Sequence, residues 1–139
     1  MTQEAKLTDR KALTLAVVKK MMAAAEAEAV KININISIAV VDDGGQMLAF
    51  QKMDGAAPMT IDIAIGKART AANMRSPSAD AQAMIRDYIG LLNVPDMMPL
   101  GGGMPVSVDG VVIGAVGVSG GATPQQDEQA AIAGANAAQ

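Results

Sequence analysis

The stretch Val111-Val112-Ile113-Gly114-Ala115-Val116-Gly117-Val118-Ser119-Gly120-Gly121-Ala122-Thr123-Pro124-Gln125-Gln126-Asp127 decides the fold of this chain. It is a β-branched strand that breaks on glycines and enters a helix. Gly114 and Gly117 leave gaps in the strand where another backbone, a helix or a ligand comes close. Thr123 reads as the helix N-cap, with Pro124 at the first helical position and Gln126 closing a capping box. Just upstream, Asp109-Gly110 predicts a tight hairpin joining this strand to Val106–Val108. The triple glycine Gly101-Gly102-Gly103 precedes that hairpin. Strand, glycine turn and helix N-terminus form one unit, with room for a pocket at the junction.

Working outward, Ile34, Ile36, Ile38 and Val40 point one way and Asn35, Ser37, Ala39 and Val41 the other, the alternation of a strand. Asp42-Asp43-Gly44-Gly45 supplies a turn, and Gln46 to Met53 returns as the partner strand. Leu7 to about Lys31 reads as a first helix, with Thr8 as N-cap and Asp9 suiting the positive end of its dipole. Its core stripe is Leu15, Val18, Met22, Ala25 and Ala29. A second helix is expected from about Met59 to Met74, stopping before Ser76-Pro77. A third runs from Ala79 to Ile89, and Leu91 to Pro105 reads as an ordered loop. Adjacent hairpins imply antiparallel pairing, so the expectation is one α+β domain over residues 1–139. Its antiparallel sheet should have about five strands flanked by helices, four of them evident and the fifth near Leu100.

Composition narrows the function. The chain has 139 residues, half of them apolar, yet only one Phe, one Tyr and no Trp. Its core must be Ile, Val, Leu, Ala and Met. A net charge of −3, with no dense basic run, argues against nucleic acid. Neither Cys nor His is present, which removes thiolate nucleophiles, Cys-based zinc sites and the commonest acid/base at neutral pH. Asp42 and Asp43 are too few for a calcium loop, so no metal site is expected. No apolar run spans a bilayer and no signal-peptide pattern is evident, giving a cytoplasmic protein without membrane partners as the expectation.

An ordered set of motifs resembles the GlcG/HbpS-like family, which includes the C-terminal domain of PduO-type proteins. Carrying it are Ile38-Ala39-Val40-Val41-Asp42 with Gly44-Gly45, Met53-Asp54-Gly55-Ala56, and Ile63-Ala64 with Lys67-Ala68 and Thr70-Ala71. It continues through Gly101-Gly102-Gly103-Met104-Pro105 and Gly114 to Gly121, ending at Gln126-Asp127. The resemblance implies a five-stranded antiparallel sheet flanked by helices and assembly into homo-oligomers. It also implies a link to glycolate use, diol breakdown or small-acid catabolism, and in some members to haem. No cofactor is expected here. Haem stays open through the resemblance, but the missing histidine counts against it, leaving Met97, Met98, Met104 or Tyr88 as axial ligands.

Among candidate site residues Lys67 comes first. Asp62, Gly66, Arg69 and Asn73 form a polar stripe on the second helix, as a solvated face would, whereas Lys67 shares its stripe with Ile63, Thr70, Ala71 and Met74. An amine on an apolar face either snorkels to water or sits in a pocket. Asp54 is either an Asx-turn residue or a carboxylate facing Lys67. The amides of Gly101, Gly102 and Gly103 either line a pocket or make a structural turn. Ser119-Gly120-Gly121 is a candidate anion nest at a helix N-terminus. Gln126 and Asp127 are accounted for as capping and dipole residues. A Ser-His-Asp hydrolase is excluded.

The leading expectation is a small organic acid as partner, a hydroxy- or oxo-acid or related catabolic intermediate. Lys67 holds its carboxylate, aided by the amides of Gly101–Gly103 and the Ser119-Gly120 turn, while Asp54 and Thr70 orient it. The alternative is a cofactor-independent enzyme of isomerase, tautomerase, hydratase or lyase type, with Lys67 and Asp54 exchanging protons. A haem-binding or haem-responsive protein is the further alternative.

Overall fold

The computed structural model describes residues 4–139. Strands β1 (Ser37–Asp42), β2 (Met47–Lys52), β3 (Gly103–Val108) and β4 (Val111–Ser119) form one antiparallel sheet in the order β2-β1-β4-β3. Helices α1 (Leu15–Lys31) and α4 (Pro124–Asn136) pack together on one face. Helix α2 (Thr60–Met74) covers the other face, with α3 (Ser78–Met84) beside it.

The alternation read in residues 34–41 is what builds these layers. Ile36, Ile38 and Val40 enter the larger core with Val18, Met21 and Met22 of α1. Ala39 and Val41 face the opposite way, onto Ala64, Ala68, Ala71 and Ala72 of α2. That second face is almost entirely alanine, so α2 lies unusually close to the sheet. Gly117 completes the approach: a Cβ there would sit 2.1 Å from the Ala64 carbonyl oxygen.

Several boundaries differ from the sequence reading. Helix α1 starts at Leu15 and its N-cap is Thr14, whose Oγ1 accepts the Val17 N–H at 3.3 Å. A start at Thr8 would have put Arg10 and Lys11 against the positive end of the dipole, the wrong charge for that position. Leu13 packs instead over β4, where a Cβ at Gly114 would meet its Cδ1 at 2.5 Å. Leu15 is exposed, and Met21 takes the core place expected of it. Thr14→Ala should therefore cost about 1 kcal/mol of stability in urea unfolding, while Thr8→Ala should leave the midpoint unchanged.

The third helix ends at Met84, and a short 3₁₀ turn follows over Ile89–Asn93. Among the described residues the sheet has four strands, not five. Leu100 is not in a strand: its carbonyl accepts the Ser78 hydroxyl at 2.6 Å, and β3 begins only at Gly103. Helix α4 is capped as expected by Thr123, although Gln126 Oε1 reaches back to the N–H of Ala122 (2.7 Å) rather than to that of Thr123.

Candidate functional site

Lys67 lies on the face of α2 turned toward β4, and its side chain is 3% exposed. Its ammonium donates to Asp127 Oδ2 at 2.9 Å and to the Val118 carbonyl at 3.0 Å. Asp127, equally sequestered in the first turns of α4, accepts the Gly121 N–H on its other oxygen at 2.7 Å. The glycine run closes over this pair. Gly102 has φ +129°, and a Cβ there would lie 2.8 Å from Lys67 Nζ and 2.7 Å from the Val118 carbonyl. Lys67 thus neither snorkels nor lines an open pocket; it ties α2, β4 and α4 together through a sealed ion pair.

The other predicted residues fall around this clamp. Asp54 is exposed in the turn after β2 and forms no ion pair with Lys67, whose carboxylate partner is Asp127. Thr70 is buried; its hydroxyl donates to the Gly66 carbonyl at 2.7 Å and accepts the Met98 N–H at 2.7 Å. The Gly101 N–H is taken by Gln82 Oε1 (2.7 Å) and the Gly103 N–H by Ser78 Oγ (2.8 Å). Ser119 is buried and pairs with Ser37 across the β1–β4 ladder. Gly120, at φ +139°, passes so close to the chain leading into β1 that a Cβ would lie 2.2 Å from the Asn35 carbonyl oxygen. The Gly101 and Gly103 amides therefore anchor the loop to α3, and Gly120 serves backbone packing. Ser78, Gln82 and the Lys67–Asp127 pairing are the structural contacts that sequence reasoning missed.

An open site lies on another face of α2. A cleft of about 310 Å³ runs between α2 and residues 96–98. Met47, Ile65, Met97 and Met98 supply its apolar wall, with Asp62, Arg69 and Asp96 at its polar edges. The stripe read as a solvated face of α2 in fact contributes Asp62, Gly66 and Arg69 to this concavity. Arg69 is half-buried and its Nε donates to the Gly45 carbonyl at 3.2 Å. Among the described residues no carboxylate comes within ion-pairing distance of it. Asp62 and Asp96 line the same cleft without pairing with it. Two further clefts of similar size lie by the N-terminal segment and the β3–β4 hairpin, sharing Lys11, Val108 and Ile113. Lys67 lines none of the three.

Residues 13–136 match the model of the family described as haem degrading protein HbpS-like. The chain belongs to the HbpS-like family. Among its relatives is the protein GlcG of Escherichia coli, 44% identical over 108 residues, covering 77% of this chain and 81% of GlcG. A 15.0 kDa protein from the dhaT-dhaS intergenic region of Citrobacter freundii is 41% identical over 120 residues, covering 83% and 84% of the two chains. The crystal structure of a double mutant of HbpS from Streptomyces reticuli superposes with a TM-score of 0.89 at 34% identity, over 98% of this chain and 93% of that one. This HbpS-like chain keeps the α+β architecture of that structure. Among its described residues no group of three or more acidic, His or Cys side chains is placed to hold a metal ion. No helix among them is long and apolar enough to cross a membrane.

Proposed function

We propose that this HbpS-like protein binds a small organic acid in the cleft around Arg69, and that Lys67 secures the fold beside it. The observation that carries this reading is Arg69, half-buried in a cleft of mixed polarity with a methionine wall and without a carboxylate in ion-pairing distance. A guanidinium in such a setting offers two parallel N–H donors to a carboxylate, in a geometry that an ammonium cannot reproduce. The methionine wall suits an apolar body, because thioether side chains adapt to irregular ligands. The alternative of proton transfer between Lys67 and Asp54 receives no support from the geometry, since the lysine donates to Asp127 and Val118.

A second reading is haem in the same cleft, favoured by the family's description as haem degrading. The residues fit the group in part. Arg69 suits a propionate and the methionines suit a porphyrin face, while the cleft offers no imidazole, thiolate or phenol, only the thioethers of Met47, Met97 and Met98.

One experiment separates these readings. Thermal shifts are recorded with haem and with hydroxy-, oxo- and aromatic acids, on the wild type and on Arg69→Gln. An acid present at a hundred times its dissociation constant should stabilise the wild type by about 2.7 kcal/mol, with the effect largely lost in the variant. A Soret band that saturates and responds to replacement of Met97 or Met98 would establish haem instead. Acid binding undiminished in Arg69→Gln would sink the proposed site.

A further inference from the structure

We infer that Met98 sets the size of acid the Arg69 cleft accepts, by filling a notch in α2 at Gly66 and yielding it to ligands with a bulky apolar body. The inference rests on the acid-binding reading above and deepens it to a substrate class. Gly66 lines the cleft, and the missing side chain at that position is replaced in space by Met98. A Cβ at Gly66 would lie 2.9 Å from Met98 Cβ, 3.0 Å from its Cε and 3.4 Å from its Cγ. The thioether therefore lies along the bare stretch of helix and forms part of the cleft wall.

The backbone of Met98 and its side chain differ in freedom. Its N–H is held by Thr70 Oγ1, itself buried and anchored to the Gly66 carbonyl, so the main chain is pinned across α2. The side chain is half-buried, unbranched and rotates about three bonds. Swinging the thioether outward would vacate the space that Cγ and Cε take beside Gly66, with Cβ staying in place, and would break no hydrogen bond.

The position of Arg69 says which ligands would make this happen. Gly66 and Arg69 are three residues apart, hence on one face of α2 and about 4.5 Å apart along its axis. The Arg69 side chain is tethered at Gly45, beside Asn73, by its Nε bond, and it shares one concavity with Gly66, so a ligand held at the guanidinium must extend along the cleft to meet the notch. A two-carbon acid bound to the guanidinium stops short of the notch. An arylacetic acid or a branched aliphatic acid reaches it with its apolar body and displaces Met98. The ligand class that makes full use of the site is thus a monocarboxylate with a compact apolar body one to two carbons from the carboxyl group.

The test compares glycolate and phenylacetate by calorimetry on the wild type, Met98→Ala, Gly66→Ala and Arg69→Gln. Met98→Ala keeps the backbone bond to Thr70 and should raise phenylacetate affinity about tenfold with glycolate unchanged, the discrimination a pocket of altered apolar volume gives. Gly66→Ala should weaken phenylacetate selectively; if that variant fails to fold, Met98→Ala still carries the test. With ¹³C-methyl-labelled methionine, the Met98 resonance should move on adding phenylacetate and stay in place with glycolate. Arg69-dependent binding with the same phenylacetate-to-glycolate ratio in wild type and Met98→Ala overturns the role of Met98 alone. Failure of both acids to bind any of the four proteins overturns it together with the acid-binding reading.

Discussion

Lys67→Met should lower the unfolding free energy by about 3–5 kcal/mol, because it leaves Asp127 as a buried carboxylate without its counter-charge. Domains of this size are stable by roughly 5–15 kcal/mol, so the variant should lose a large fraction of its stability. The environment explains the size of the effect. Both side chains are nearly solvent-free, at 3% and 7% exposure, so water cannot take the place of the missing ammonium. The Gly121 N–H would still reach Asp127 Oδ1, but Oδ2 would keep no donor. Urea unfolding of Lys67→Met, Asp127→Leu and the double variant measures this directly. The double variant should recover most of the loss, since removing both charges also removes their desolvation cost. A single-variant loss below about 1 kcal/mol would show that water reaches the pair, as it does at surface ion pairs.

This pair also marks where reading the sequence stops. The strand pattern of residues 34–41, the Asp109-Gly110 hairpin and the Thr123-Pro124 helix start are local signals, each set by a few neighbouring residues. They give the α+β layers correctly. Lys67 stood out for the same reason, as a charge on an apolar helical stripe. Its partner lies sixty positions further on, and nothing near Asp127 distinguishes a buried counter-ion from an ordinary helix-dipole residue. The glycine run misled in a related way. Exposed amides are its evident property, but Ser78 and Gln82 occupy two of them from a helix whose docking no local pattern encodes. Arg69 was legible as polar and not as a cleft residue, because the wall opposite it comes from Met97 and Met98 in an irregular segment. The N-cap falls at Thr14 because Arg10 and Lys11 oppose the helix dipole of a start at Thr8.

Gly117→Ala should destabilise the protein by about 3 kcal/mol or more, at or beyond the upper end of ordinary overpacking. The added methyl would meet backbone, not a yielding side chain: the Ala64 carbonyl oxygen at 2.1 Å and the Ala68 nitrogen at 2.5 Å. Helix α2 would have to lift from the sheet, and the alanines at 64, 68, 71 and 72 that allow its close seat would lose contact together. Gly90→Ala is the matched control, because a Cβ there meets nothing within 4 Å; its effect should stay within about 1 kcal/mol. Equal midpoints for the two variants in urea would refute the close-packing account. The same displacement should also register at the ligand site. Arg69, Gly66 and Lys67 share α2 with the alanine seat, so lifting the helix strains the bond to Asp127 and shifts the Arg69 wall of the cleft. Gly117→Ala should therefore weaken acid binding despite touching no cleft residue, an effect that Gly90→Ala should not reproduce.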